Sequence, residues 1–593
     1  MTGRFQPMSL HKSYRPRNVV AFMIRFCLSL VLICGVAEAQ TSAAPMTGAS
    51  DQGLKPILTY ISSAWDTLTR SMNDCASVVD PKIKVSPVLY LPAGVEEPTA
   101  VKKLTTDCHV NIEHLPLEIH RLGEIDTSKI QPHGLLYLPD KYVVPGGRFN
   151  EMYGWDSYFI IRGLLQAGRV ELARGMIDNF FFEIEHYGAM LNANRTYYLT
   201  RSQPPFLSSM FVDVYQAMQK DGGHPDKAWL ERAYADLDKD YGMWTRDPHL
   251  AGETGLSRYY DFGEGPPAEA VQDESGFYRK VSQYFFLHPA EANDYVVETT
   301  PGANQTIVKQ PVAGSPYSLQ VCDVPLTMAR AECEKAKQFK LSADYYKGDR
   351  SMRESGFDVS FRFGAFGSAT HHYAPVCLNS LLYKTEKDLE QISVWLGRAD
   401  DAKKWNKRAE DRKKLITHYL WNDEQGLFFD FNFLTKRISK YQYASTFYPL
   451  WAGAATPAQA KAVAANLKVF ERPGGVPMST DETGAQWDLP YGWGNIEMVV
   501  IAGLRRYGYN ADADRVSYEF LSTVAENFRR DGNIREKYNV VTRSSEAHVE
   551  LGYEMNVVGF GWTNAAFLEL LHGLPKEMAE RLDKEQNEAL TAK

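Results

Sequence analysis

The segment Val170–Gly188, VELARGMIDNFFFEIEHYG, spaces Val170, Ala173, Ile177, Phe180 and Ile184 by three and four residues and closes on a glycine. Residues at that spacing share one face of a helix, so the segment predicts an amphipathic helix with one buried stripe and a stop at Gly188. Similar patterns recur at Leu54–Met72, Leu207–Gln219, Lys227–Thr245, Leu378–Leu396, Ala399–Leu420, Pro457–Leu467, Ile496–Tyr507, Ala511–Phe528 and Trp562–His572. No run alternates with a period of two, which excludes a parallel-sheet enzyme or a β-sandwich and leaves an all-α array of helical hairpins. Asp74–Leu122, rich in Pro, Val and Thr, predicts loops and short strands decorating that body. No Pro-Gly-Ser linker divides the chain, so one domain over 54–574 is expected, after a lead-in at 40–53 and before a polar tail at 575–593.

Arg15, Arg17 and Arg25 precede the apolar run Phe26–Val36 and then Ala37-Glu38-Ala39, the pattern of a cleaved signal peptide over residues 1–39, and a periplasmic or secreted location is expected. Without those residues, which carry five basic and one acidic side chain, 60 Lys+Arg face 72 Asp+Glu, a net charge of −12. That balance argues against nucleic acid or an anionic membrane as partner, and no later stretch is apolar enough to span a bilayer. A monomer acting on a small molecule is expected. Five cysteines follow the leader; Cys75 with Cys108, or Cys322 with Cys333, are the sequence-local pairs, and Cys377 is the fifth. The pair His371-His372 has no partner at metal-ligand spacing, and no Gly-rich phosphate loop is present, so neither metal nor cofactor is expected.

The loops carry the chemistry. Pro145–Tyr158, PGGRFNEMYGWDSY, crowds glycines, an arginine, acids and aromatics into one stretch too polar for a core, and a saccharide pocket needs that mixture: aromatic faces for the C–H faces of the ring, fixed donors and acceptors for its hydroxyls. Gly146 and Gly147 are expected to let the backbone approach a ligand closely. Leu191–Phe206, Glu354–Gly364, Gln486–Asn495, Arg535–Val540 and Gly552–Asn564 share the mixture and bring the carboxylates that glycosidic hydrolysis requires, one acid for the departing oxygen and one base for water.

These residues resemble a known family. PGGRFNEMYGWDSYF matches one signature of the trehalase family of glycoside hydrolases almost throughout, QWDLPYGW matches most of the other, and NRTYYLTRSQPPF, ESGFD and GFGWTN fall in family order between and after them. The resemblance spans about Leu54–Leu574. It implies an (α/α)6 toroid with a central pocket and inverting hydrolysis of α,α-trehalose to two glucoses, with Asp358 as general acid and Glu536 as general base. It further implies Arg148, Trp155, Asp156, Asn192, Arg201, Ser202, Gln203 and Gly356 as sugar-binding positions, and adds Glu269, Trp487, Asp488, Glu554 and Trp562 as candidates. Asp358 is then expected to hold a proton near neutral pH. Three departures stand out: Gly494 and Asn495 replace a small residue and a proline, Pro267-Ala268-Glu269 keeps the acid of an Arg-Pro-Glu run and loses its guanidinium, and Cys377 replaces an aspartate. Arg279 and Lys280 are the candidates to replace the lost cation. The lost guanidinium motivates a second reading, an inverting exo-α-glucosidase with another aglycone; a third is a sugar-binding relative without catalysis.

Overall fold

The computed structural model describes residues 53–80, 85–130, 134–220, 226–269, 276–292, 295–299, 318–321, 337–552 and 556–591. The signal-peptide reading of residues 1–39, nearly all of the 40–53 lead-in, Cys322, Cys333 and Glu554 lie outside the described residues. The helices that build the body are α1 (Lys55–Thr67), α2 (Gly154–Gln166), α3 (Val170–Tyr187), α4 (Leu207–Lys220), α5 (Lys227–Trp244), α6 (Ala343–Glu354), α7 (Val376–Trp395), α8 (Ala399–Leu420), α9 (Tyr448–Ala452), α10 (Pro457–Ala465), α11 (Gly494–Arg506), α12 (Asn510–Asp531), α13 (Gly561–Gly573) and α14 (Lys576–Thr591).

Six of them close a ring: α2 touches α4, α4 touches α7, then α9, α11 and α13 follow in turn, and α13 returns to α2. The remaining hairpin partners lie outside, with α3 against α2 and α4, α8 against α7, α12 against α11 and α13, and α1 against α13. This is the (α/α)6 toroid. Composition decides which helix goes where. In α2, GWDSYFIIRGLLQ is buried on almost every side, from Gly154 to Ile161 and again at Gly163 and Leu164, as a helix apolar all round must be. In α8 only Trp405, Ala409, Arg412, Ile416 and Leu420 are buried, one stripe at spacings of three and four, with charges on the solvent side.

Small sheets decorate the loops. Val88–Leu91 (β1) lies between Asn111–His114 (β2) and Leu135–Leu136 (β3), all parallel. Tyr491–Trp493 (β4) pairs antiparallel with Lys537–Asn539 (β5), setting Trp493 opposite Lys537. Cys75 and Cys108 are disulfide-bonded, and Cys377 is a buried free thiol. The Arg362 guanidinium grips Asp430 with two bonds of 2.7 and 2.6 Å and reaches the Cys377 sulfur at 3.4 Å. Residues 576–591 form α14, which packs against α12, with Leu582 fully buried.

Candidate active site

A cavity of about 220 Å³ is lined by the N-terminal end of α2 and by the loops that sequence analysis singled out. Its aromatic floor is a cluster of four tryptophans. Trp487 stacks on Trp493 with ring centroids 3.8 Å apart and planes 1° from parallel, while Trp155 and Trp562 meet that pair edge-on or tilted. Gly356 turns the acid-bearing loop over Trp155 at φ +76°, and a Cβ there would lie 2.8 Å from the Trp155 ring, so only glycine fits.

Asp358 and Glu536 both line the cavity, with Asp156 in the same wall. Asp156 is buried, and burial first, then the charges of Glu536 and Asp358, push its carboxyl well above the ordinary range. Glu536 stands at the edge of β5. Its N–H donates to the Val557 carbonyl at 2.9 Å, its own carbonyl accepts from Trp562 Nε1 at 3.1 Å and Thr563 Oγ1 at 3.2 Å, and its carboxylate meets Lys537 Nζ at 3.0 Å. The Lys537 ammonium is fully buried over the Trp493 ring and also donates to Gln486 Oε1 at 3.3 Å. Gln486 Nε2 in turn donates to the Asp358 carbonyl. One buried cation thus connects the supports of both acids.

A guanidinium faces Asp358 too: Arg353 Nη1 lies 3.8 Å from Asp358 Oδ2, and its Nε contacts Asp349 at 3.3 Å. Arg353 lines the cavity; Arg279 and Lys280 are exposed and do not, and Lys280 donates to the Glu550 carbonyl. Neither residue expected to replace the cation at Pro267 reaches the cavity, whereas Arg353 of α6 does. Glu269 pairs with Arg201, whose Nη1 also reaches Asp261 at 3.5 Å. Burial alone would raise the Glu269 carboxyl, but the Arg201 and Arg353 guanidiniums outweigh it and hold it below the usual range.

Arg148, Trp155, Asp156, Asn192, Arg201, Gln203, Glu269, Gly356, Trp487 and Trp562 all line the cavity as expected. Ser202 and Asp488 do not. Ser202 is fully buried, its hydroxyl donating to the Met190 carbonyl at 2.6 Å and its N–H to Glu354 at 3.3 Å. Asp488 is a buttress: it accepts from Ser360 Oγ (3.0 Å), the Phe361 N–H (2.9 Å) and Thr483 Oγ1 (2.7 Å), and burial pushes its carboxyl up to about 6. Of the two glycines, Gly146 packs on Val557 and Phe560, while a Cβ at Gly147 would meet nothing within 4 Å, and neither lines the cavity. Sequence reasoning missed the buried ion group of Arg195 with Asp80 and Glu151, all three on the cavity wall. Glu151 and Arg195 lay inside quoted stretches; Asp80, in a segment read as decoration, carried no signal.

A toroid of six helical hairpins with carboxylates and tryptophans around an axial cavity defines a glycosidase of the six-hairpin type. The trehalase family model matches residues 37–296 and 327–575, and this chain belongs to the trehalase family of glycoside hydrolases. Among its relatives, the cytosolic neutral trehalase of Emericella nidulans is 33% identical over 593 residues, covering 89% of this chain and 72% of that one. The cytosolic neutral trehalase of Saccharomyces cerevisiae is 34% identical over 567 residues, covering 85% and 69%. The solved structure of the neutral trehalase of Saccharomyces cerevisiae superimposes with a TM-score of 0.70 at 30% identity, over 90% of this chain and 96% of that chain. These findings overturn the expectation of a periplasmic or secreted protein: several relatives at this identity are cytosolic enzymes. The short apolar run behind a few arginines carried that expectation alone, and composition at one end weighs less than likeness along the body.

Proposed function

We propose that this chain hydrolyses α,α-trehalose to two glucose molecules by inverting single displacement, with Asp358 protonating the departing oxygen and Glu536 taking the proton of the attacking water. The observation that carries the reading is that Asp358 and Glu536 line one cavity together with the tryptophans, each close enough to Asp156 to shift it. In such a mechanism the base must start ionised and the acid protonated, about 6.5–9.5 Å apart, so that water fits between base and anomeric carbon. Lys537 fixes the position of the base, donating to the Glu536 carboxylate at 3.0 Å. For the second requirement, Asp156 and Asp358 repel each other when both are charged, so a proton is retained between them, while Arg353 stands 3.8 Å from Asp358 and works against it. As bond breaking builds positive charge on the glucosyl ring, an ionised carboxylate in the cavity stabilises it, and Trp155 and Trp487 offer faces for the sugar.

The missing guanidinium at Pro267 motivated a preference for another aglycone; Arg353 in the wall weighs against it. Glucose release from trehalose, kojibiose, nigerose and maltose, with the anomer followed by NMR, separates the readings. Rapid cleavage of trehalose with initial release of one α- and one β-glucose is expected. Negligible trehalose cleavage would refute the proposal.

A further inference from the structure

The histidine pair set aside on sequence spacing acquires a third partner in the fold. Asp344, in the first turn of α6, places Oδ1 2.9 Å from His371 Nε2 and 3.6 Å from His372 Nε2. The three ligand atoms lie within 4.8 Å of one another. We propose that Asp344, His371 and His372 form a binding site for a divalent transition metal of the zinc class, separate from the sugar cavity, which none of the three lines.

The geometry suits such an ion. Bonds of about 2.0–2.1 Å in a tetrahedral site put ligand atoms about 3.3 Å apart, and the two nitrogen-to-oxygen distances bracket that value. Consecutive side chains seldom aim at one point; here a tight turn, Thr370–His372, makes them do so, with the two rings 3.8 Å apart and 47° from parallel. The backbone of the turn is held without any ion. The His371 carbonyl accepts from Arg258 Nη1 at 2.8 Å, the His372 carbonyl from the Phe433 N–H at 3.1 Å, and the Thr370 hydroxyl donates to Gly367 at 2.5 Å. Ser342 caps α6 and fixes the start of the helix that bears Asp344. His371 is buried, His372 partly so, and the Asp344 side chain is 46% exposed, which leaves a fourth position open to water.

Two imidazoles and one carboxylate select zinc, cobalt, nickel or copper over calcium and magnesium, which prefer oxygen alone. Affinity is modest for two reasons. His371 Nδ1 is buried with no hydrogen-bond partner, so it lacks the outer contact worth about 10–100-fold in metal affinity, and the Arg258 cation lies close enough to act on the His371 ring. Asp344 and Arg353 are nine residues apart on α6, about 14 Å along the axis, so metal at one end braces the helix whose other end enters the cavity wall.

The test uses metal-stripped, untagged full-length protein. Calorimetric titration with Zn2+ should give one ion per chain, Co2+ should give the visible absorption of a low-coordinate site, and Zn2+ should raise the unfolding temperature. Asp344→Asn and His372→Ala, both at solvent-accessible positions, should each weaken Zn2+ at least tenfold and remove the thermal shift. No Zn2+ binding up to millimolar concentration, binding unchanged in both variants, or equal binding of Ca2+ would overturn the proposal. None of these readouts depends on sugar hydrolysis.

Discussion

The two acids of the cavity are held in opposite ways. Glu536 is anchored through its own backbone by Val557, Trp562 and Thr563, and its carboxylate, only 10% exposed, rests on a buried ammonium. Asp358 is 19% exposed, the Arg353 guanidinium stands 3.8 Å away, and its loop is braced by Gln486 on its carbonyl and Asp488 on the residues that follow. A base has to keep one charge in one place. An acid has to lose and regain a proton through each cycle, so solvent access suits it. The difference teaches that the role of each acid is written in its surroundings rather than in its own side chain.

The largest expected effect breaks the pair outright. Asp358→Asn and Glu536→Gln should each lower kcat on trehalose by at least about 10³-fold, measured by glucose release. They part company on α-glucosyl fluoride, whose leaving group needs no proton: Asp358→Asn should keep much of its rate there and Glu536→Gln should not. Equal losses on both substrates would dissolve the distinction between the two supports.

Next comes the anchor. Lys537→Met removes the cation under Glu536 and the donor to Gln486, and kcat should fall by about 10–100-fold. The loss should fall on kcat with KM little changed, because Lys537 holds Glu536 and Gln486 and does not itself line the cavity. Lys537→Arg should restore part of the rate. On the other side, Arg353→Met should lower kcat/KM by about 10–150-fold, the equivalent of a lost charged hydrogen bond of about 1.5–3 kcal/mol to the sugar. The rise should fall mainly on KM, and an unchanged KM would mean that Arg353 serves Asp358 and not the substrate.

How much of this was legible follows the same physics. Outer helices such as α3 and α8 announce themselves because each has one wet side and one dry side, and the ends expected for α8 agree with those found. Helix α6 did not: ADYYKGDRSMRE has no apolar stripe, yet Tyr345–Glu354 are all buried. Its charges are neutralised by residues far away in sequence, Arg350 by Asp261, Glu354 by the N–H groups of Ser202 and Tyr260, and Lys347 by the carbonyls of Asp261 and Gly263. No local pattern records such partners. Arg353 was missed for the same reason, and so was the meeting of Asp344 with the histidine pair. The loops were legible because sugar chemistry demands an unusual local mixture; Ser202 and Asp488 stood in that mixture and turned out to hold the loops in place.

The smallest expected effect concerns the acid between the two. Asp156 lies in the first turn of α2, where a negative charge is favoured by about 0.3–1 kcal/mol by the helix dipole. Burial and the charges of Glu536 and Asp358 work against it and leave its carboxyl well above the ordinary range. A carboxyl raised in the fold binds more protons there than in the unfolded chain, so its effect on stability is neutral below the unfolded value and becomes unfavourable as pH rises toward the folded one. Asp156→Asn keeps the shape and removes the charge. It should therefore raise the unfolding temperature by about 1–2 °C at pH 8, a small shift because the chain is large, and by less at pH 5, while weakening sugar binding. A gain that is equal at both pH values would mean that helix packing, and not the crowding of three acids in one wall, sets the stability of this position.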